Sequence, residues 1–208
     1  KSGKFAYAFD KDKHVSKIPL QFNPDKPLYL SFDFNVNPIS CLAAQHYNET
    51  TYCLRSFKLE NSNIYALCDV IVATYPGALV IVTGDATGRS TTALVQDTLN
   101  YYKVIKQQLQ LTDGQIKVPT INPSLVENRI VVNAVLQTRD ILIDAHKCSP
   151  LIYDLTYCEV DADNKLVKDR ANEARKADAI DCGRYLINLL YKNILRLPKN
   201  GIPDSDTN

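Results

Sequence analysis

The chain has 208 residues, 45% of them hydrophobic, with 24 Lys and Arg against 23 Asp and Glu, a formal charge of +1. That length buries an adequate core for one domain without disulfide or metal staples, and the near-neutral balance excludes neither nucleic acid nor an acidic partner. No apolar run approaches the length of a membrane span, and no signal peptide is visible, so the expectation is a soluble, cytoplasmic protein.

The six cysteines, Cys41, Cys53, Cys68, Cys148, Cys158 and Cys182, form no CxxC pair and no zinc-ligand spacing. They read as small buried hydrophobes in a reducing compartment. The chain starts at Lys1 and contains no methionine, which favours a piece cut from a longer protein.

Residues 1 to 26 read as a polar, Lys-rich lead-in with little core, and the Asn23 to Pro27 turn delivers the chain into a first strand. That strand, Leu28 to Phe32, is apolar and aromatic, as in a strand covered on both faces, and Asp33 interrupts it. A second strand near Ser40 to His46 and a third from Tyr52 to Leu59 complete an antiparallel meander. In the third, Cys53, Arg55 and Phe57 are expected on one face, and Leu54, Ser56 and Lys58 on the other. Asn61 or Ser62 then caps a helix with Ile64, Leu67, Cys68 and Ile71 at helical spacing.

The uninterrupted run Ala78 to Thr83 predicts a buried parallel strand, with Asp85 at its carboxyl end, the edge where open α/β sheets bind ligands. A long helix is expected from Thr91 or Ala93 to Leu111, then a short strand at Ile116 to Val118 and a Ser124-capped helix over Leu125 to Leu136. Ile141 to Ile143, a turn or short helix at Cys148 to Leu155, and Tyr157 to Val167 read as an added hairpin region. The last helix is predicted from Arg170 to Leu197, where Pro198 ends it, before a polar tail over 201–208.

Three strands, helix, strand, helix, strand, helix is the order of the ribonuclease H-like α/β fold, a mixed sheet of antiparallel meander plus parallel strands flanked by helices. In such a sheet the fourth strand lies beside the first, bringing Asp85 next to Asp33. Asp178 and Asp181, three residues apart, project from one face of the last helix. Acids converging from two strands and a helix cannot all stay ionised in a partly dry cleft without cations. Hard divalent ions, Mg2+ or Mn2+, suit all-oxygen ligands, and two of them can clamp the attacking and leaving oxygens of a phosphodiester displacement. The constellation points to metal-dependent cleavage of nucleic acid.

Other residues have two readings each. The loop Gly84 to Thr91 is not a P-loop, having one residue too few between its glycines and Arg89 where lysine belongs. Arg89 either touches a phosphate or braces the loop. Asn35 either holds a metal-bound water or stabilises the turn. Tyr101 and Tyr102 stack on bases or pack in the core, the core being the default for Tyr102. Asp144 reads as a cap or turn residue. Basic clusters near the start and ahead of the last helix, the latter including Lys168, Arg175, Lys176 and Arg184, face either phosphates or solvent.

Five segments, SFDFNVNP (Ser31 to Pro38), VIVTGDATGRS (Val80 to Ser90), TINPSLVENRIVVNAVL (Thr120 to Leu136), HKCSPLIYDLTYCEV (His146 to Val160) and ADAIDCGRYLI (Ala177 to Ile187), resemble in order the C-terminal nuclease domain of tailed-phage large terminases. The resemblance implies a ribonuclease H-like nuclease domain over 27–200 that cuts concatemeric viral DNA during packaging. It implies two Mg2+ or Mn2+ ions, with Asp33, Asp85 and Asp181 as catalytic metal ligands and Asp178 as the fourth, where many relatives carry His. Arg89, Arg175 and Lys176 become candidate DNA contacts. Residues 1–26 become a linker from an N-terminal ATPase domain outside this sequence. Implied partners are double-stranded DNA, that ATPase domain, the portal and the small terminase subunit, in the host cytoplasm. The alternatives are a structure-specific resolvase of the same fold and a non-catalytic DNA or portal docking module.

Overall fold

A computed structural model describes residues 3–35, 37–90, 99–168 and 177–195. In chain order the elements are β1 (Gly3–Lys4), α1 (Lys11–His14), β2 (Val15–Ser16), β3 (Leu28–Asp33), β4 (Ile39–Tyr47), β5 (Thr50–Leu59), α2 (Ile64–Thr74), β6 (Val80–Gly84), α3 (Tyr101–Gln108), α4 (Leu125–Thr138), β7 (Asp140–Asp144), α5 (Ser149–Tyr157), β8 (Glu159–Val160) and α6 (Asp178–Tyr191). Among the described residues no helix is long and apolar enough to cross a membrane.

The described main sheet has six strands in the order β2-β7-β5-β4-β3-β6. β3, β4 and β5 form the expected antiparallel meander, and β6 runs parallel to β3 with Phe32 opposite Gly84. Asp33 and Asp85, one residue further along each strand, therefore leave the same edge of the sheet. Alternation divides the core between the two faces. Leu28, Leu30 and Phe32 of β3 pack with α2 and α3, including Leu67, Ile71 and Ile105. On the opposite face, Leu42 and Ala44 of β4 pack with Val132 and Val135 of α4, Leu151 and Leu155 of α5, and Ile180 and Leu186 of α6. All six cysteines are free thiols and buried.

Several expectations are corrected, among them the cap of α2, which is Asn63 and not Asn61 or Ser62. Residues 1–26 carry core: Phe5, Ala6, Phe9 and Leu20 are buried, β1 pairs with β8, and β2 pairs parallel with β7. The apolar residues there are too sparsely interleaved with lysine to show a period. Their docking depends on long-range bonds, such as Ala8 N donating to Asn133 Oδ1 and Asn133 Nδ2 to Phe5 O.

Asp140–Asp144 is no hairpin strand, because it joins the main sheet parallel to β5. The hairpin is confined to β8 and its return, where Val160 bridges Leu166. In β5, Cys53 and Phe57 fall in different core clusters, because an irregularity at Ala43/Ala44 leaves Leu54 without an opposite residue and flips the alternation beyond it. Lys58, opposite Ser40, thereby turns to the face that carries Asp33.

As far as they are described, α3 and α6 are shorter than periodicity suggested, while α4 runs two residues further, to Thr138. Asn100 caps α3, its side chain accepting from Lys103 N, and Gln110 turns left-handed at φ 54°. The predicted start of that helix, Thr91 or Ala93, lies outside the described residues. So do Arg170, Leu197, Pro198 and the tail at 201–208. Ile116 makes one parallel bridge to Val82 in place of a strand.

Candidate functional site

The strand edge bearing Asp33 and Asp85 is covered by the first turn of α6. Asp33 is 4% exposed, and Asp178 and Asp181 are each 3% exposed. Ser31 Oγ, two residues before Asp33, donates to the carbonyl of Cys182 and so fixes α6 against β3. The Asn35 amide then joins two of the acids, its Nδ2 donating to Asp33 Oδ2 at 2.7 Å and to Asp178 Oδ1 at 2.6 Å.

Asp85 is half-buried at the start of a short 3-10 turn, and its Oδ1 accepts from Thr87 N and Asn122 Nδ2. Its backbone is held on both sides: its amide donates to Phe32 O, and the Tyr102 hydroxyl donates to its carbonyl.

These acids repel one another. Burial holds Asp33 well above the ordinary carboxylate range, and the charges of Asp181, Asp178 and Asp85 push the same way while Lys168 opposes them. Asp178 is raised by burial, against the Asn35 hydrogen bond and Lys168. Asp181 is ion-paired through both oxygens, to Lys168 Nζ at 2.5 Å and Arg184 Nε at 2.6 Å.

Two buried oxygens nearby are left over: Asp178 Oδ2, and Ser40 Oγ, which sits opposite Asp33 in the ladder, have no hydrogen-bond partner among the described residues. A buried carboxylate oxygen without a donor is costly, and a cation is the partner that its chemistry calls for. Asp33 and Asp178 therefore fit a cation-binding role. Among the described residues, though, no group of three or more acids, His or Cys is already drawn to ligand distance.

The structure places the other candidates as follows. Arg89 braces the loop, its Nη2 donating to Val118 O at 2.7 Å. Arg175 and Lys176 lie outside the described residues. Tyr101 stacks on Phe34 at 4.4 Å, and Tyr102 is buried. Asp144 accepts from the amides of Leu20, His146 and Lys147, the turn role expected of it.

No family model matches the chain, and no curated protein matches it. Solved structures do. A large terminase from a thermophilic bacteriophage superposes with a TM-score of 0.68 at 16% identity, over 90% of this chain and 45% of that one. The P22 large terminase nuclease domain gives 0.67 at 12% identity, over 91% and 93%. The large terminase nuclease of the thermophilic phage G20c, solved with bound magnesium, gives 0.56 at 8% identity, over 88% and 95%.

The chain has the fold of a large terminase nuclease domain. It spans less than half of the first of these terminases and nearly the whole of the P22 nuclease domain. The terminase nuclease fold is ribonuclease H-like, a mixed sheet flanked by helices, as the element order predicted.

Within this terminase nuclease fold two supporting residues escaped sequence reasoning, Asn122 beside Asp85 and Asp154 at the start of α6. α6 begins after Ala177, which sits left-handed at φ 58° and offers no side-chain cap. The cap comes from α5, where buried Asp154 accepts from Ile180 N at 3.0 Å. Asp154 thus sets the start of the helix that carries Asp178 and Asp181. No local motif could reveal it, because a capping box places the acceptor next to the helix it caps.

Burial raises Asp154 from 3.8 to about 7, against the Ile180 hydrogen bond and the Lys58 charge. The folded state therefore holds a proton that the unfolded chain has released. The stability from this group is complete below about pH 3.8 and is lost as pH rises through about 7. Urea unfolding of Asp154→Asn, which cannot ionise, is expected to lack that part of the decline between about pH 4 and about pH 7.

Proposed function

We propose that this chain is the DNA-cleaving domain of a viral packaging terminase, a divalent-metal-dependent endonuclease acting on double-stranded DNA. The observation that carries the reading is the buried pair Asp33 and Asp178, joined by the Asn35 amide, with an Asp178 oxygen that has no partner among the described residues at the strand edge shared with Asp85. The terminase nuclease fold supports it, as does the magnesium bound by the G20c nuclease.

In this reading Asp33, Asp85, Asp178 and Asp181 would hold the divalent ions, two Mg2+ or Mn2+. Ions held there supply Lewis-acid polarisation of the scissile phosphodiester and lower the pKa of water. The chain's own groups do the positioning. Asn35 orients the Asp33 and Asp178 carboxylates, as an outlying hydrogen-bond donor orients a metal ligand. Thr87 N and Asn122 fix one oxygen of Asp85, and Tyr102 holds its backbone. The stacked Phe34 and Tyr101 rings, with buried Phe32 beneath, shield the β3 end from water.

Concatemeric viral DNA is the proposed substrate, and an ATPase domain, the portal and a small terminase subunit are the proposed partners, in the host cytoplasm. The test is nicking and linearisation of supercoiled plasmid with Mn2+ or Mg2+ present and after EDTA. Cleavage that persists without divalent ion would refute the metal assignment. Asn35→Ala is expected to weaken Mn2+ binding about tenfold in titration calorimetry, the usual cost of losing a donor that orients a metal ligand.

A further inference from the structure

Among the described residues Asp181 differs from the other acids of the site in having both oxygens satisfied by cations of the same chain, Lys168 and Arg184. The two cations are unequal. The Arg184 side chain is 12% exposed, lies one turn along the same helix, donates to Asn128 Oδ1 and the Tyr185 hydroxyl, and packs on the Tyr185 ring at 4.3 Å. A planar guanidinium with several fixed partners is costly to move.

Lys168 arrives from a different part of the chain, the return strand of the hairpin, where Val167 N donates to Glu159 O. Its side chain is 32% exposed and reaches Asp181 Oδ2 on a flexible stem. The Lys168 charge also acts beyond Asp181. It counters the repulsion that Asp181, Asp178 and Asp85 exert on Asp33, and it is held at the first turn of α6, which carries both Asp178 and Asp181. The ammonium stands where a positive charge relieves several acids at once.

We propose that the Lys168 ammonium is the resident occupant of a cation position at Asp181, and that a divalent ion entering there displaces Lys168 while Arg184 stays. The proposal rests on the metal-dependent reading above and adds to it that this position is filled before the ion arrives. Entry of the ion then exchanges one unit charge of the chain for a double charge, and the Lys168 side chain swings to solvent.

The experiment is calorimetric titration of Mn2+ into the 208-residue chain, its Lys168→Gln and Lys168→Arg variants and an Asp33→Asn control, with melting temperatures recorded alongside. Lys168→Gln is expected to bind Mn2+ at least about tenfold more tightly than the natural chain, because a competing unit charge at contact distance is gone. Its melting temperature then rises more at any given Mn2+ concentration. Lys168→Arg, which keeps the charge, is expected to stay close to the natural chain.

Equal or weaker binding by Lys168→Gln overturns the proposal while leaving metal binding intact, and binding by neither chain overturns both. A second measurement needs no variant. The Lys168 Nζ signal, followed by NMR as Mg2+ is added, is expected to move to the position of a solvated lysine, and a signal that stays put also overturns the exchange.

Discussion

Replacing Asp33 by asparagine is expected to abolish divalent-dependent plasmid cleavage, a loss of at least about a thousandfold, while the chain remains folded. Metal assistance contributes several kcal/mol to such displacements, and each 1.36 kcal/mol is about tenfold in rate. Asp33 is the acid on which the charges of the other three act together. Its amide replacement keeps the Asn35 contact within reach but removes the charge that a hard cation needs.

The same change relieves a repulsive buried charge, so Asp33→Asn is expected to melt at the temperature of the natural chain or above it when metal is absent. Catalytic loss with retained or raised stability separates a ligand from a structural carboxylate. Cleavage at the natural level in Asp33→Asn would sink the site assignment.

Gly84→Ala is expected to be the most damaging alanine replacement among the described glycines, costing about 3 kcal/mol or more, with cleavage lost as a consequence. Gly84 sits at φ +145°, and a Cβ there would collide with Phe32 O and lie 2.7 Å from Phe32 N and 2.8 Å from the Tyr102 hydroxyl. The first two are backbone atoms of the neighbouring strand and cannot rotate away. The methyl would force β6 from β3 at the point where Asp33 and Asp85 leave the sheet, and would break the Asp85 N to Phe32 O bond that aligns them. Urea unfolding midpoints and plasmid cleavage measured on the same preparation check both halves. A variant of natural stability would mean that the strand pair tolerates separation, and that the alignment of the two acids does not depend on close approach at Gly84.

Much of this was legible in the chain because its signals are local. The meander showed in strand runs broken by short polar turns, β6 in an uninterrupted apolar run, and α4 in the Ser124 cap, whose side chain does accept from Glu127 N. The neighbourhood of Asp33 and Asp85 followed from topology alone once β6 was set beside β3. Where the reading failed, the deciding contacts were remote. Phe5 and Phe9 are buried because Asn133 and Arg129, on a helix more than a hundred residues away, hold the backbone around them. The reversal in β5 needed an unopposed Leu54, which no alternation pattern within one strand can announce.

For the site, composition and order supplied the acids but not their states. By itself the sequence determined that carboxylates end two strands and line one helical turn, because side-chain period is a property of the backbone. Only the tertiary structure decided which acid is bridged by Asn35, which is capped away by paired cations, and which keeps a buried oxygen unpartnered. Those differences come from desolvation and from contacts between Lys168, Asp154 and α6, segments that only folding brings together.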